Sequence, residues 1–262
     1  MKNLALAVVL LFQMQLSRAA APSVDVLISR LGEPKLDRSV VWGLEGSPAE
    51  ERIVKALRSS FEQREAKEEK QWLAVALLRM GDRVAGPYEF LAAYAQQAID
   101  DRAPIFQKYD ASGRAVRGQF SDEFEAWCLA NHLDARAVAA RQIGEYPDDV
   151  QYLAEATDVR ARDLLRRGLE SPNPGVVMYC IQGLGRLQDM EALTLIVVRV
   201  QRLRSLTVLM QLPWYGRREA YDLLERLQPD PKIRQRLIDD VERARSFEQQ
   251  AVARRTGKAP LK

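Results

Sequence analysis

Trp72-Leu73-Ala74-Val75-Ala76-Leu77-Leu78-Arg79-Met80-Gly81-Asp82 is the stretch whose reading decides the fold. Leu73, Ala76, Leu77 and Met80 recur at three- and four-residue spacing, so a helix puts them on one face. Gly81 then offers the left-handed position that ends helices, since it has no Cβ to clash there. Upstream, Ser47-Pro48-Ala49-Glu50 has the signature of a helix start: a capping hydroxyl, a proline suited to the first turn and a glutamate to complete a capping box. Ile53, Leu57 and Phe61 follow at spacings of four. Only the charged Lys67-Glu68-Glu69-Lys70 intervenes before the second helix, and a joint this short makes the two antiparallel neighbours.

The device returns about a hundred residues later. Leu164, Leu165 and Leu169 mark one helix, and Ser171-Pro172-Asn173-Pro174-Gly175 turns the chain. The partner helix carries Val176, Val177, Cys180, Ile181, Leu184 and Leu187, and the next runs through Met190, Leu193, Ile196, Val197, Val200 and Leu203. Pro213, Pro229 and Pro231 punctuate two further helices, the last with Ile233, Leu237, Ile238 and Val241. Alternating strand patterns are nearly absent, which predicts an all-α fold.

Trp72 through Asp82 resembles the second helix and exit turn of a HEAT repeat. So does Val177-Met178-Tyr179-Cys180-Ile181-Gln182-Gly183-Leu184-Gly185-Arg186-Leu187-Gln188-Asp189, and Ala137-Val138-Ala139-Ala140-Arg141-Gln142-Ile143-Gly144 is a fainter third. The motifs are degenerate, being apolar periodicity plus a Gly-Asp exit, and generic helical-bundle and tetratricopeptide-like readings stay open beside them. The resemblance spans residues 47–100 and 134–245. It implies a HEAT-like α-solenoid, a right-handed stack of antiparallel helical hairpins in which neighbours bury what no pair buries alone. The expected organisation is a lead-in segment at 22–46, a repeat domain at 47–247 with an insertion near 101–120, and a polar, frayed tail at 248–262. Pro104, Asp110, Ser112, Gly113 and Gly118 break the periodicity of the insertion, which reads either as inert or as a binding loop.

Residues 1–21 carry a different message. Lys2, an uncharged apolar run from Leu4 to Phe12 and small residues at Ser17, Ala19, Ala20 and Ala21 resemble a secretory signal peptide. The run falls short of the ~20 apolar residues that cross a bilayer, and nothing later reads as a span. The expected location is therefore periplasmic or secreted, after cleavage around Ala19. Removal of Lys2 and Arg18 leaves 37 basic against 36 acidic residues, a nearly neutral chain. Residues 199–262 alone hold 15 basic and 8 acidic residues, so a basic C-terminal part follows an acidic body. Two cysteines, Cys128 and Cys180, make no disulfide framework.

Signs of chemistry are sparse. The chain has one histidine, His132, and no nucleophile elbow, so hydrolytic triads have little to draw on. Glu125, Cys128 and His132 share a face of the helix predicted there, a conceivable metal or Cys-His site. Trp127 and Leu129 argue instead for ordinary packing. Gly183-Leu184-Gly185 falls inside a helix rather than after a strand, and Asp110-Ala111-Ser112-Gly113 lacks the spaced acids of a calcium loop. No cofactor and no metal are expected. Trp214-Tyr215-Gly216-Arg217-Arg218 is the best local candidate for recognition, because aromatics and arginine dominate binding hot spots. The competing reading is that Trp214 and Tyr215 pack a joint between repeats.

The expectation is an exported, non-enzymatic module that binds or scaffolds another protein. Two rivals remain. One is a binder of anionic glycan or lipid headgroups, and the other is a HEAT-like enzyme of lyase or glycosylase type. Nucleic acid fits poorly with so neutral a chain.

Overall fold

A computed structural model describes residues 22–48, 51–104, 106–109, 115–142, 148–203, 211–228 and 230–256. Residues 1–21, with Ala19, Ala20 and Ala21, and the expected capping glutamate Glu50 lie outside the described residues. Thirteen α-helices and one two-stranded ribbon occur among those described, so the chain is mostly helical, in keeping with the all-α expectation.

The segment expected to be a lead-in is part of the core. Helix α1 (Val24–Arg30) is capped by Ser23, and α2 (Arg38–Glu45) by Asp37, whose carboxylate accepts from the Ser39 amide at 2.8 Å. Together with their connection they bury Leu27, Leu31, Leu36, Val40, Val41 and Leu44. Helices α3 (Glu51–Gln63) and α4 (Lys67–Arg79) form the first predicted hairpin, with Ile53, Leu57 and Phe61 buried. The Ser47 hydroxyl donates back to the Gly43 carbonyl at 2.9 Å, while Ala49 and Glu50, where its expected cap of α3 would fall, lie outside the described residues.

Helix α4 is more than amphipathic. Every residue from Leu73 to Leu78 is buried. A helix that is apolar all round needs neighbours on all sides, and α4 packs against α2, α3, α5 (Ala85–Asp100) and α8 (Asp148–Ala156). Beyond it, α8 packs on α10 (Pro174–Arg186), and α10 on the 3₁₀ turn Leu212–Tyr215. Helix α9 (Arg162–Gly168) packs on α5 and α10. Helices α11 (Met190–Leu203) and α12 (Arg218–Leu227) pack on each other, and α12 and α13 (Pro231–Thr256) cover the 3₁₀ turn. The tail expected at 248–262 is thus helical as far as Thr256.

One turn recurs at the ends of α4, α8 and α10. Gly81, Thr157 and Gln188 each adopt positive φ (86°, 53° and 53°), and each is followed by a buried aspartate. Gly81 does so without cost; the side chains at the other two positions meet a steric penalty. The aspartates collect arginines. Asp82 accepts from Arg58 of α3 at 3.0 and 3.1 Å, and Asp189 accepts from Arg166 of α9 at 2.6 Å from both nitrogens. Asp158 accepts from Arg160 at 2.8 Å and, across the gap between turns, from Arg83 at 3.1 Å. Each aspartate fastens an exit turn to a neighbouring segment.

The described residues of the expected insertion hold a β-ribbon. Strands β1 (Gln107–Tyr109) and β2 (Ala115–Phe120) pair antiparallel, and α6 (Asp122–Ala130) and α7 (Ala135–Gln142) follow. Phe124, Cys128, Val138 and Ala139 form a separate small core, on which Phe106, Phe120 and Trp127 pack.

Candidate functional site

The four residues nominated for recognition divide. Trp214 and Tyr215 are 5% and 0% exposed, so neither presents a side chain to a partner, and the packed-joint reading describes them. Gly185 of α10 explains the fit: a Cβ there would come within 2.8 Å of the Trp214 Cβ. Arg217 and Arg218 are exposed. Arg217 donates to Gln188 at 3.3 Å and Arg218 pairs loosely with Asp222 at 3.8 Å. A basic edge survives, without its aromatics.

The Glu125, Cys128 and His132 face does not exist. Helix α6 ends at Ala130, Asn131 caps it, and His132 takes the left-handed conformation (φ 56°) with its side chain exposed. Cys128 is buried beside Phe124. Cys180 is buried in the main core, where burial pushes its thiol well above the ordinary range and leaves it inert. Both cysteines are free. Among the described residues, no cluster of three or more His, Cys, Asp or Glu could hold a metal, and no helix is long and apolar enough to cross a membrane.

A different set of side chains converges where α2, α4, α8 and α10 pack in succession. Arg38 stands in the first turn of α2, and Trp42 follows four residues later on the same face. The Arg38 guanidinium carbon lies 4.5 Å from the Trp42 ring centre, 5.8 Å from that of Trp72 on α4 and 5.9 Å from that of Tyr152 on α8. All three are within cation–π reach. The Trp72 indole N–H donates to the Tyr152 hydroxyl at 3.2 Å, and Glu155, one turn along α8, stands 3.8 Å from Arg38. Trp42 is 54% exposed. The Arg38 Nε is buried without a partner among the described residues, although the rest of the side chain reaches the surface.

Tyr179 on α10 extends the same neighbourhood. Burial first, then the charges of Asp148 and Glu155, push its phenol up to about 12, and burial also raises that of Tyr152. Both hydroxyls therefore stay protonated near neutral pH and can donate as well as accept.

Further along, arginine replaces aromatic. Arg79 at the end of α4 donates to the Glu155 carbonyl at 2.7 Å and to Glu45 of α2 at 3.3 Å. Arg186 at the end of α10 stacks over Trp214 at 4.2 Å and donates to Glu248 of α13 at 2.8 and 3.2 Å. Glu248 also lies 3.8 Å from Arg79. The face thus has an open aromatic end and a closed arginine end, and its chemistry is stacking, cation–π contact and carboxylate pairing.

Sequence reasoning passed over this face although its signal was present. Trp72 and Tyr179 each adjoin a buried residue of a quoted repeat-like stretch, and Arg38 and Trp42 share a helical face. What no spacing shows is that four separate helices bring them together. Protein-family models, curated proteins and solved structures offer no match to this chain.

Proposed function

We propose that this chain is an exported HEAT-like α-solenoid that binds or scaffolds another protein of the cell envelope, using the face formed by Arg38, Trp42, Trp72 and Tyr179, with the buried Tyr152 behind it. The observation that carries the binding role is Trp42, an indole 54% exposed against the Arg38 guanidinium, which itself lies 5.8 Å from the Trp72 ring and 5.9 Å from the Tyr152 ring. Tryptophan, tyrosine and arginine are the residue types that dominate interface energetics, especially when held rigid by their surroundings. An exposed Trp42 adds little to the core, yet it can bury a large apolar area against a partner.

Two features support a stack of hairpins, whose right hand is what the HEAT-like resemblance implies. On one side α2, α4, α8 and α10 adjoin in turn. On the other, Phe61 of α3 meets Phe90 of α5 edge-on at 5.6 Å, and α5 adjoins α9. The threefold return of a left-handed residue followed by a buried aspartate is the second feature. Export rests on the pattern of residues 1–21 alone.

The test is a chain carrying both Arg38→Ala and Trp42→Ala. Incubated with envelope fractions, the unaltered chain should retain a partner that the double variant loses, while helical circular dichroism stays the same. Equal capture by both chains would overturn the reading of this face.

A further inference from the structure

The arginine end of the face is already occupied. Arg186 is 7% exposed in its side chain, and its charge is met by Glu248, which is itself 33% exposed. A guanidinium buried to this degree needs an anion beside it, because loss of the partner leaves an uncompensated charge out of water. Its Nη1 has no partner among the described residues, so Glu248 does not saturate it. Arg79 stands on the other side of the same carboxylate at 3.8 Å.

Glu248 itself is held by its charge, with its side chain one-third exposed. Helix α13 buries Leu237 and Val241, but of its described side chains after Val241 none is buried. Charge-assisted hydrogen bonds from Arg186 hold the Glu248 carboxylate, and another carboxylate could reproduce them. Such an exchange needs only the Glu248 side chain to turn into solvent, which leaves Leu237 and Val241 in place.

We propose that Arg79 and Arg186 form a carboxylate-reading pair, that the partner of this face presents an acidic polypeptide segment to it, and that Glu248 fills the pair until that segment displaces it. The inference rests on the reading of the face as a protein-binding surface. A polypeptide fits better than a membrane for two reasons. The Arg186 guanidinium is recessed, whereas a lipid surface needs exposed cations. The pair also continues an aromatic row built from several helices, which suits an extended chain with an acidic residue at one end.

The experiment measures anisotropy of a fluorescein-labelled ten-residue polyglutamate peptide at low ionic strength, with the full chain. Glu248→Ala should bind the peptide about tenfold more tightly than the unaltered chain, since removing an internal occupant raises the fraction of competent sites. Adding Arg186→Gln to Glu248→Ala should abolish the gain. Should that double variant not fold, a peptide of residues 246–256 supplied in trans must displace polyglutamate from Glu248→Ala. Equal affinity in the unaltered and Glu248→Ala chains overturns the proposal, as does a gain that survives Arg186→Gln or a peptide that fails to compete. A gain for phosphatidylglycerol vesicles in place of polyglutamate also overturns it and assigns the pair to lipid phosphate. Where polyglutamate fails but capture still depends on Trp42, the carboxylate pair alone falls. Where both fail, the face falls with it.

Discussion

Two arginines lie over two tryptophans at opposite ends of one face, with similar geometry and different surroundings. Arg38 sits 4.5 Å from the Trp42 ring and Arg186 sits 4.2 Å from the Trp214 ring. Trp42 is 54% exposed and Trp214 is 5% exposed. The pairs differ in what lies behind the indole. Trp42 projects from α2 at the start of the helical row, where no described element covers it. Trp214 belongs to a short 3₁₀ turn that α10, α12 and α13 enclose. A shared contact motif therefore serves recognition at one end and cohesion at the other, and burial decides which.

Substitution at the covered end should break the comparison most forcefully. Trp214→Ala removes a buried indole from between α10 and the elements over it, and should lower stability by roughly 3–5 kcal/mol in denaturant titration. A loss below about 1 kcal/mol, the scale of a near-surface change, would mean that the two tryptophans are equivalent after all.

A smaller effect should come from the turn that positions Arg186. Burial pushes the Asp189 carboxyl up, but the hydrogen bonds and charge of Arg166 outweigh it and hold the group below its ordinary value. A lowered folded-state pKa stabilises the fold above the ordinary carboxylate range, and that stabilisation is lost as pH falls through the lowered value. Asp189→Asn should therefore reduce the melting temperature at neutral pH, and the difference from the unaltered chain should narrow toward about pH 3. A difference independent of pH would show that the carboxylate charge contributes nothing there.

The least effect on stability belongs to the open end. Trp42→Ala should change it by no more than about 0.5 kcal/mol, as for surface substitutions away from packed features, although the same change weakens partner capture. A loss comparable with that of Trp214→Ala would sharpen the comparison the other way, because Trp42 would then be structural.

Legibility followed the range of the interactions. The α3–α4 hairpin was readable because Ile53, Leu57, Phe61, Leu73 and Leu77 announce their faces within one or two turns. The Asp82 turn was readable as a helix exit from Gly81 and the Asp189 turn only from the repeat-like stretch before it, while the equivalent turn at Thr157 had neither signal. The ribbon of Gln107–Tyr109 and Ala115–Phe120 escaped because Gly118 and the broken periodicity spoke only of interruption. His132 misled for a related reason. Continuing the helix through it assumed a regular backbone where the chain turns left-handed.

The sequence by itself determined that this chain is mostly helical, where α4 and α10 stop and which apolar stripes several helices bury, because capping, periodicity and turn chemistry act over a few residues. Only the tertiary structure decided that Trp42 faces water while Trp214 does not, that Arg38 meets rings from three helices, and that Glu248 reaches across to Arg186 and Arg79. Those outcomes depend on which helices become neighbours, and exposure belongs to the assembled neighbourhood rather than to the residue.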